Sequence, residues 1–193
     1  MHSVFSHDTY LLKRQVLALT GKVRVYTPTG QLCLYSEQKM FRLREDIRVF
    51  TDENKLSELL WIQARQIIDF AAAYDVFDQT SGMKVGALRR KGWSSIMRDT
   101  WEILDPMDQV IGIVREDSPG RALLRRFILG TLLPQRYDVV QGGEQVVAHF
   151  YQRFHLFRYE LDIDFALDSA GLDRRLGLAT GILLAIIEGK QQS

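Results

Sequence analysis

Hydrophobic and polar residues alternate along most of the chain, as expected for strands with one buried face. In KVRVY, Val23 and Val25 fall on one face and the basic residues beside them on the other. The TPTG that follows supplies turn residues before QLCLYSE, so the two segments predict a hairpin. Taken alone, residues 56–68 also fit a helix. Hairpins flank them, however, and we predict a strand there.

One hairpin plan recurs in stretches that begin at Tyr74, Trp101 and Tyr137. Each stretch starts with an aromatic and an acidic residue, passes through apolar positions to a polar turn, and ends in a second alternating strand. Repeated hairpins form a meander, and a long meander hides its edges most simply by closing into a barrel. Counting the alternating segments gives roughly 12 strands.

A segment near the end, Leu176 to Ile187, reads LGLATGILLAII and has no polar stripe. This pattern predicts a helix that is buried on all sides. Flanking charges and a stop signal at Gly189 place the helix at about residues 173–188. The apolar run is shorter than the ~20 residues of a membrane span, which favours a core helix over a tail anchor. Gly177 and Gly181 fit either a membrane dimer motif or close contact with barrel side chains, and we favour the contact.

The predicted fold is therefore mainly β: a closed antiparallel barrel of about 12 strands around a central hydrophobic C-terminal helix. We also predict one additional amphipathic helix, because Ser118-Pro119 is a helix start and ALLRRFILGTLLP follows it. No linker or low-complexity tract divides residues 1–193, so we expect a single domain.

Composition narrows the classes of function. The chain has 25 basic and 24 acidic residues among 193, and this balance argues against a broad nucleic-acid footprint. The single cysteine excludes an internal disulfide framework and fits a reducing compartment. The N-terminal residues show no secretory signal pattern, so a cytoplasmic location is the expectation.

The aromatic and acidic hairpins, followed by the terminal DRRLGLATGILLAII, resemble the tubby-like barrel superfamily and, more narrowly, its LURP-one-related and phospholipid-scramblase-like branch. The resemblance runs from Tyr10 to Ile187. It implies a barrel of about 12 strands around a central helix. It also implies functions such as phosphoinositide binding, membrane tethering and lipid scrambling. Since a cysteine-rich run and a proline-rich N-terminal tail are both missing, scramblase-type anchoring is not expected.

Two basic clusters are candidates for contact with lipid headgroups. One comes just before Gly92-Trp93, and the other covers one side of the predicted amphipathic helix. Basic residues beside aromatic and apolar ones are typical of a surface that binds anionic lipid. They are equally typical of an ordinary surface helix with its arginines in water. The candidates are Arg89, Arg90, Lys91, Arg121, Arg125 and Arg126.

Acidic residues before the core helix form a candidate cation site. Asp162, Asp164 and Asp168 lie where the resemblance to scramblases implies a calcium segment. Carboxylate oxygens suit Ca²⁺, but an EF-hand loop needs glycine and glutamate where this chain has Leu167 and Asp173. A solvated strand face followed by helix-capping aspartates explains the same pattern, so no cofactor is expected.

Nothing in the sequence indicates an enzyme. The four histidines are scattered without a metal-ligand spacing, and no nucleophile elbow, phosphate-binding loop or zinc-protease motif occurs. Cys33 lies in an apolar strand and reads as a small buried side chain. We therefore expect a non-enzymatic, peripheral lipid-binding or membrane-tethering barrel. The alternatives are a protein-interaction scaffold without lipid affinity and, less favoured, a calcium-linked scramblase.

Overall fold

The computed structural model describes residues 2–15, 20–39, 46–65, 72–91, 100–116, 135–153, 155, 158–168 and 170–191. Within these residues, a short 3-10 helix at Ser3–Phe5 precedes twelve strands and one α-helix. The strands are β1 Thr9–Gln15, β2 Thr20–Tyr26, β3 Leu32–Lys39, β4 Asp46–Phe50, β5 Glu58–Ala64, β6 Ala73–Asp78, β7 Met83–Arg90, β8 Trp101–Leu104, β9 Val110–Glu116, β10 Arg136–Gln141, β11 Gln145–Arg153 and β12 Arg158–Asp164, and the helix is α1 Arg174–Gln191.

The strands form a closed barrel in which each pairs antiparallel with its neighbours in sequence and β1 pairs with β12. The closing register runs from Thr9 opposite Asp164 to Gln15 opposite Arg158. The predicted barrel of about 12 antiparallel strands is thus confirmed. The stretches that begin at Tyr74, Trp101 and Tyr137 form successive hairpins, and all three aromatic side chains are buried.

The five hairpins β2–β3, β4–β5, β6–β7, β8–β9 and β10–β11 each contain a register shift near the turn. In each one the second strand carries one extra residue. These bulged residues are Cys33, Leu59, Val85, Ile111 and Val147. A bulge bends a strand and increases its twist, which is the curvature that closing a sheet requires. The alternation in the sequence predicts the strands but gives no sign of these shifts.

Residues 176–186 of α1 are all buried, as the missing polar stripe predicts. The helix contacts β1, β2 and β12 and also β6 and β7, which lie across the ring from them. It packs closely at two glycines. A Cβ at Gly177 would lie 2.5 Å from Cε1 of Phe165, and one at Gly181 would lie 2.6 Å from Cδ1 of Ile163. Side chains from the barrel wall therefore occupy the space that the glycines leave.

One prediction about helices is wrong, and another falls outside the described residues. Gly189 is not a stop, because α1 continues to Gln191. A mid-helix glycine costs only about 1 kcal/mol, which tertiary packing readily outweighs. The predicted amphipathic helix, with Arg121, Arg125 and Arg126, falls within residues 117–134 and so outside the described part of the chain. In the part that is described, no helix combines the length and the apolar character needed to cross a bilayer.

Candidate functional site

The barrel has two ends of different construction. The five hairpin turns lie together at one end, which we call the turn end: residues 27–31, 51–57, 79–82, 105–109 and 142–144. These turns contain five acidic residues and one lysine, Lys55. The opposite end is where odd-numbered strands finish and even-numbered strands begin, and we call it the basic end. Its outward-facing or exposed cations include Lys13, Arg89, Lys91, Arg115, Arg136, Arg153 and Arg158. An exposed carboxylate, Asp46, stands at the same end where β4 begins.

Two of the predicted headgroup residues share one carboxylate at the basic end. Arg89 Nη2 lies 2.6 Å from Glu102 Oε2, and Lys91 Nζ lies 3.1 Å from Glu102 Oε1. The side chain of Glu102 is 10% exposed, whereas those of Arg89 and Lys91 are 40% and 56% exposed. Burial opposes ionisation of Glu102, but the hydrogen bonds from both cations outweigh it and lower its pKa. The buried anion therefore holds two solvent-facing cations.

Arg90, the third member of that cluster, does not join this arrangement. It follows the buried Leu88 on the same face of β7 and lies opposite the buried Trp101 of β8. Its backbone N–H donates to the carbonyl of Ala72. The run of three basic residues is therefore divided between the two faces of the strand.

A second buried carboxylate, Glu160 on β12, repeats the arrangement. Its oxygens lie 3.8 Å from Lys13 Nζ and 3.5 Å from His155 Nε2. Its side chain is 5% exposed, while those of Lys13 and His155 are 37% and 51% exposed. Beside it, Arg153 binds Asp162 through two hydrogen bonds of 2.6 and 2.7 Å. The carboxylate of Glu160 therefore lies beneath the outward-facing side chains of Lys13 and His155, whereas Asp162 is itself partly exposed.

Sequence reasoning did not single out five of the cations at this end: Lys13, Arg115, Arg136, Arg153 and Arg158. Arg136 lies over the ring of Tyr151, with 5.5 Å between the guanidinium carbon and the ring centroid. Arg158 is exposed and forms no ion pair within the described residues. Together with Lys13, Arg115 and Arg153, these residues stand at or beside strand ends. In the sequence, the only signal for these residues is that each is a basic residue near the end of an alternating segment. They form a cluster only because the closed barrel brings the strand ends together.

The three aspartates of the candidate cation site have separate partners. Asp162 pairs with Arg153, and Asp164 accepts a hydrogen bond from the N–H of Ala166 at 2.8 Å. Asp168 accepts from backbone N–H groups of residues 170–172 and from the guanidinium of Arg174. Within the described residues, no three histidine, cysteine or acidic side chains lie together as a metal site would require. These contacts favour the capping interpretation, and the calcium site stays a prediction.

Two other aspartates, Asp78 and Asp173, help to fix the start of α1 at the turn end. Arg175 Nη1 lies 2.5 Å from Oδ2 of Asp78 at the end of β6, and its other donors bind Asp173. Asp78 also accepts hydrogen bonds from Thr80 and from the N–H of Ser81. Burial raises the pKa of Asp78, but these hydrogen bonds lower it more. The helix is thereby attached to the barrel wall beside a hairpin turn.

The two side chains with catalytic potential, Cys33 and His149, each contact a group on a neighbouring strand. Cys33 is buried and its thiol donates to the carbonyl of Val25 at 3.3 Å. Burial raises the pKa of Cys33 to about 11, so the reactive thiolate is scarce near neutral pH. His149 Nδ1 lies 2.7 Å from Oδ1 of Asp138 on the neighbouring strand. These contacts assign neither residue to a reaction, and a binding surface is the candidate that the geometry offers.

The class defined by this geometry is a closed twelve-stranded antiparallel barrel with a buried C-terminal helix and oppositely charged ends. A family model described as LURP-one-related matches residues 32–185. The chain belongs to the LURP-one-related family, as the resemblance in its sequence indicated. None of the curated proteins compared with the chain matches it.

Proposed function

We propose that this chain is a non-enzymatic barrel that binds peripherally to membranes containing anionic lipid, through its basic end. The observation that carries the proposal is the pairing of exposed cations with buried carboxylates. Glu102 holds Arg89 and Lys91, and Glu160 holds Lys13, so the exposed cations outnumber the buried carboxylates that hold them. Such a surface attracts anionic headgroups by about 1 kcal/mol for each basic residue near the bilayer.

Three further arginines belong to the proposed surface through their place in the chain. Arg121, Arg125 and Arg126 lie between β9, which ends at Glu116, and β10, which starts at Arg136. Both strand termini lie at the basic end. A connection that leaves and re-enters the barrel there would add its charges to those of the described strand ends.

We further propose that α1 runs through the middle of the barrel from the turn end to the basic end. Its first residues bind Asp78 and Asp168, and the carbonyl of Ala185 accepts a hydrogen bond from Arg14 near the end of β1. Burial of residues 176–186 and contacts with strands on both sides of the ring support this placement. The single cysteine is consistent with a cytoplasmic location at the membrane surface.

The test is sedimentation of the full chain with neutral or anionic vesicles at low and high salt. We expect binding that requires anionic lipid and weakens with salt. Arg158→Glu changes the local charge by two, so binding should weaken by about thirtyfold, which corresponds to ~2 kcal/mol. Replacing Arg121, Arg125 and Arg126 together with glutamate should remove it. Lys55→Glu is the matched control, because it makes the same charge change at the turn end.

Equal weakening by Lys55→Glu and Arg158→Glu would contradict the proposed orientation. Absence of binding to any vesicle would contradict lipid affinity and favour the second candidate, a protein-interaction scaffold. The side chains of Leu56, Met83 and Met107 support that candidate, because they are 81%, 67% and 80% exposed near the turn end. A requirement for calcium would revive the site at Asp162, Asp164 and Asp168 and with it the scramblase hypothesis.

A further inference from the structure

Arg14 is a charged residue on the inner face of the barrel. In β1 the buried positions are Tyr10, Leu12 and Arg14, and the residues between them are partly exposed. Arg14 is 6% exposed and lies one residue before the end of the strand at the basic end. An apolar residue is expected at such a position. A buried charge without a counter-charge is costly, so its presence needs an explanation.

The guanidinium of Arg14 is only partly satisfied. Its Nη1 donates to the carbonyl oxygen of Ala185 at 2.8 Å, and its Nε is buried without a hydrogen-bond partner. Within the described part of the chain Nη2 donates no hydrogen bond, and no carboxylate pairs with Arg14. The C-terminal pole of α1 supplies only about half a negative charge. The edge formed by Nε and Nη2 therefore has no hydrogen-bond partner within the described residues.

A second buried donor lies at the same level of the barrel. Arg14 stands opposite Tyr159 of β12 on one side and Val23 of β2 on the other. Beyond Val23 the register leads to Ser36 of β3, which is 1% exposed and whose Oγ has no hydrogen-bond partner. Burial is the main cause of the lowered pKa of Arg14, but arginine stays protonated at any physiological pH. This level of the wall thus combines a permanent cation with a free hydroxyl.

We propose that Arg14 is the anchor of an interior oxyanion site at the basic end, which takes phosphate, either free or as the headgroup of a lipid. The free Nε and Nη2 edge matches the geometry in which arginine binds two phosphate oxygens side by side. Ser36 offers a further donor at the same level. The lipid form of this proposal rests on the proposed membrane function, since the barrel would then bind a headgroup from the surface on which it docks. The free-phosphate form does not.

The experiment follows the Nε–H resonance of Arg14 by NMR in the full chain. The probes are inorganic phosphate, short-chain soluble phosphatidic acid and short-chain phosphatidylcholine, with sodium chloride at matched ionic strength. We expect a saturable shift with phosphate and none with chloride. Saturation by phosphatidic acid at least tenfold below phosphate identifies a lipid headgroup as the ligand. A response to phosphate that phosphatidic acid does not share identifies free phosphate.

Arg14→Lys keeps the charge but removes the forked donors, so binding of phosphate should fall at least tenfold, as followed by a thermal-shift titration. Arg48→Lys is the matched control at a partly exposed position of β4 outside the proposed binding surface, and it should leave the titration unchanged. If Arg14→Lys fails to fold, the resonance of the unmodified chain still decides the question. An Nε–H signal that none of the probes moves would overturn the proposal and leave Arg14 as an anchor for α1.

The outcome is separable from that of the proposed function. Vesicle binding without a shift from any of the probes would overturn only the interior site. A phosphate shift without vesicle binding would uphold the free-phosphate site and contradict the membrane function.

Discussion

The turn end and the basic end are built from the same twelve strands, yet they differ in charge and in what the charges do. At the turn end, acidic side chains are used internally: Asp78 and Asp168 bind the first residues of α1. At the basic end, buried Glu102 and Glu160 face cations whose charged groups reach water. Negative charge near the helix start and positive charge near its end complement the helix dipole. Because the dipole amounts to about half a charge at each pole, it does not account for the whole excess of cations.

The proposed function therefore assigns stability of the fold to the charges of the turn end and binding to the exposed charges of the basic end. If it is correct, removing an acidic side chain at the turn end should cost mainly stability. Reversing a cation at the basic end should cost mainly affinity. The helix α1, whose residues 176–186 are buried in the core, should be needed for each.

The largest effect is expected for Leu183→Asp. Leu183 is 1% exposed in α1, and burying an unpaired carboxylate there should cost more than about 5 kcal/mol, which is comparable with the whole stability of a domain. Circular dichroism and gel filtration should report an unfolded or aggregated chain. Leu167→Asp makes the same change at a position that is 52% exposed, and we expect it to fold. An unchanged melting curve for Leu183→Asp would mean that α1 is not part of the core.

Much of this architecture follows from local sequence patterns. Alternation gives the strands, the repeated hairpins give the meander, and the run from Leu176 to Ile187 gives the buried helix. The bulges are not visible in the sequence, because they are defined by pairing between two strands. The continuation of α1 past Gly189 was likewise missed, since the weak local preference of glycine yields to packing.

The candidate site was predictable only in part. Arg89 and Lys91 stand in an obvious basic run, but their common partner Glu102 lies on the next strand, and only the register brings them together. Arg14 carries a clearer signal, since a charged residue two positions after Leu12 breaks the apolar face of β1. Its contact with Ala185, at the far end of the chain, is beyond any local pattern.

An intermediate effect is expected for Asp78→Ala. The carboxylate of Asp78 is 5% exposed and binds Arg175, Thr80 and the turn backbone, so its loss should destabilise the fold by about 2–3 kcal/mol. Asp162→Ala is the control at the basic end. Its pair with Arg153 is 35% and 49% exposed, and we expect a cost below about 1 kcal/mol. Urea unfolding of both variants measures the difference, and equal costs would remove the distinction between the ends.

Acid should erase the difference between Asp78→Ala and the unmodified chain. The pKa of Asp78 is lowered in the folded state, so its ionised form contributes stability above the ordinary value near 4. That contribution is lost as pH falls below about 4 toward the folded value. The unfolding curves of the two proteins should therefore differ at neutral pH and coincide at acidic pH. A constant gap would assign the effect to packing instead of charge.

The smallest effect is expected at the exposed apolar side chains of the turn end. Leu56→Ser and Met107→Ser alter side chains that are 81% and 80% exposed, so stability should change by less than about 0.5 kcal/mol. Vesicle binding should also stay constant, because Asp52 and Glu53 precede Leu56 closely and Asp105 and Asp108 flank Met107. These carboxylates would be repelled by an anionic membrane. Sedimentation with vesicles should compare these variants with Arg158→Glu, whose loss of binding sets the size of a real effect. Weaker binding by the serine variants would mean that the turn end, not the basic end, faces the lipid. Retained binding leaves the apolar and acidic turn end as a surface suited to a basic, partly apolar polypeptide, which is the partner that the scaffold candidate requires.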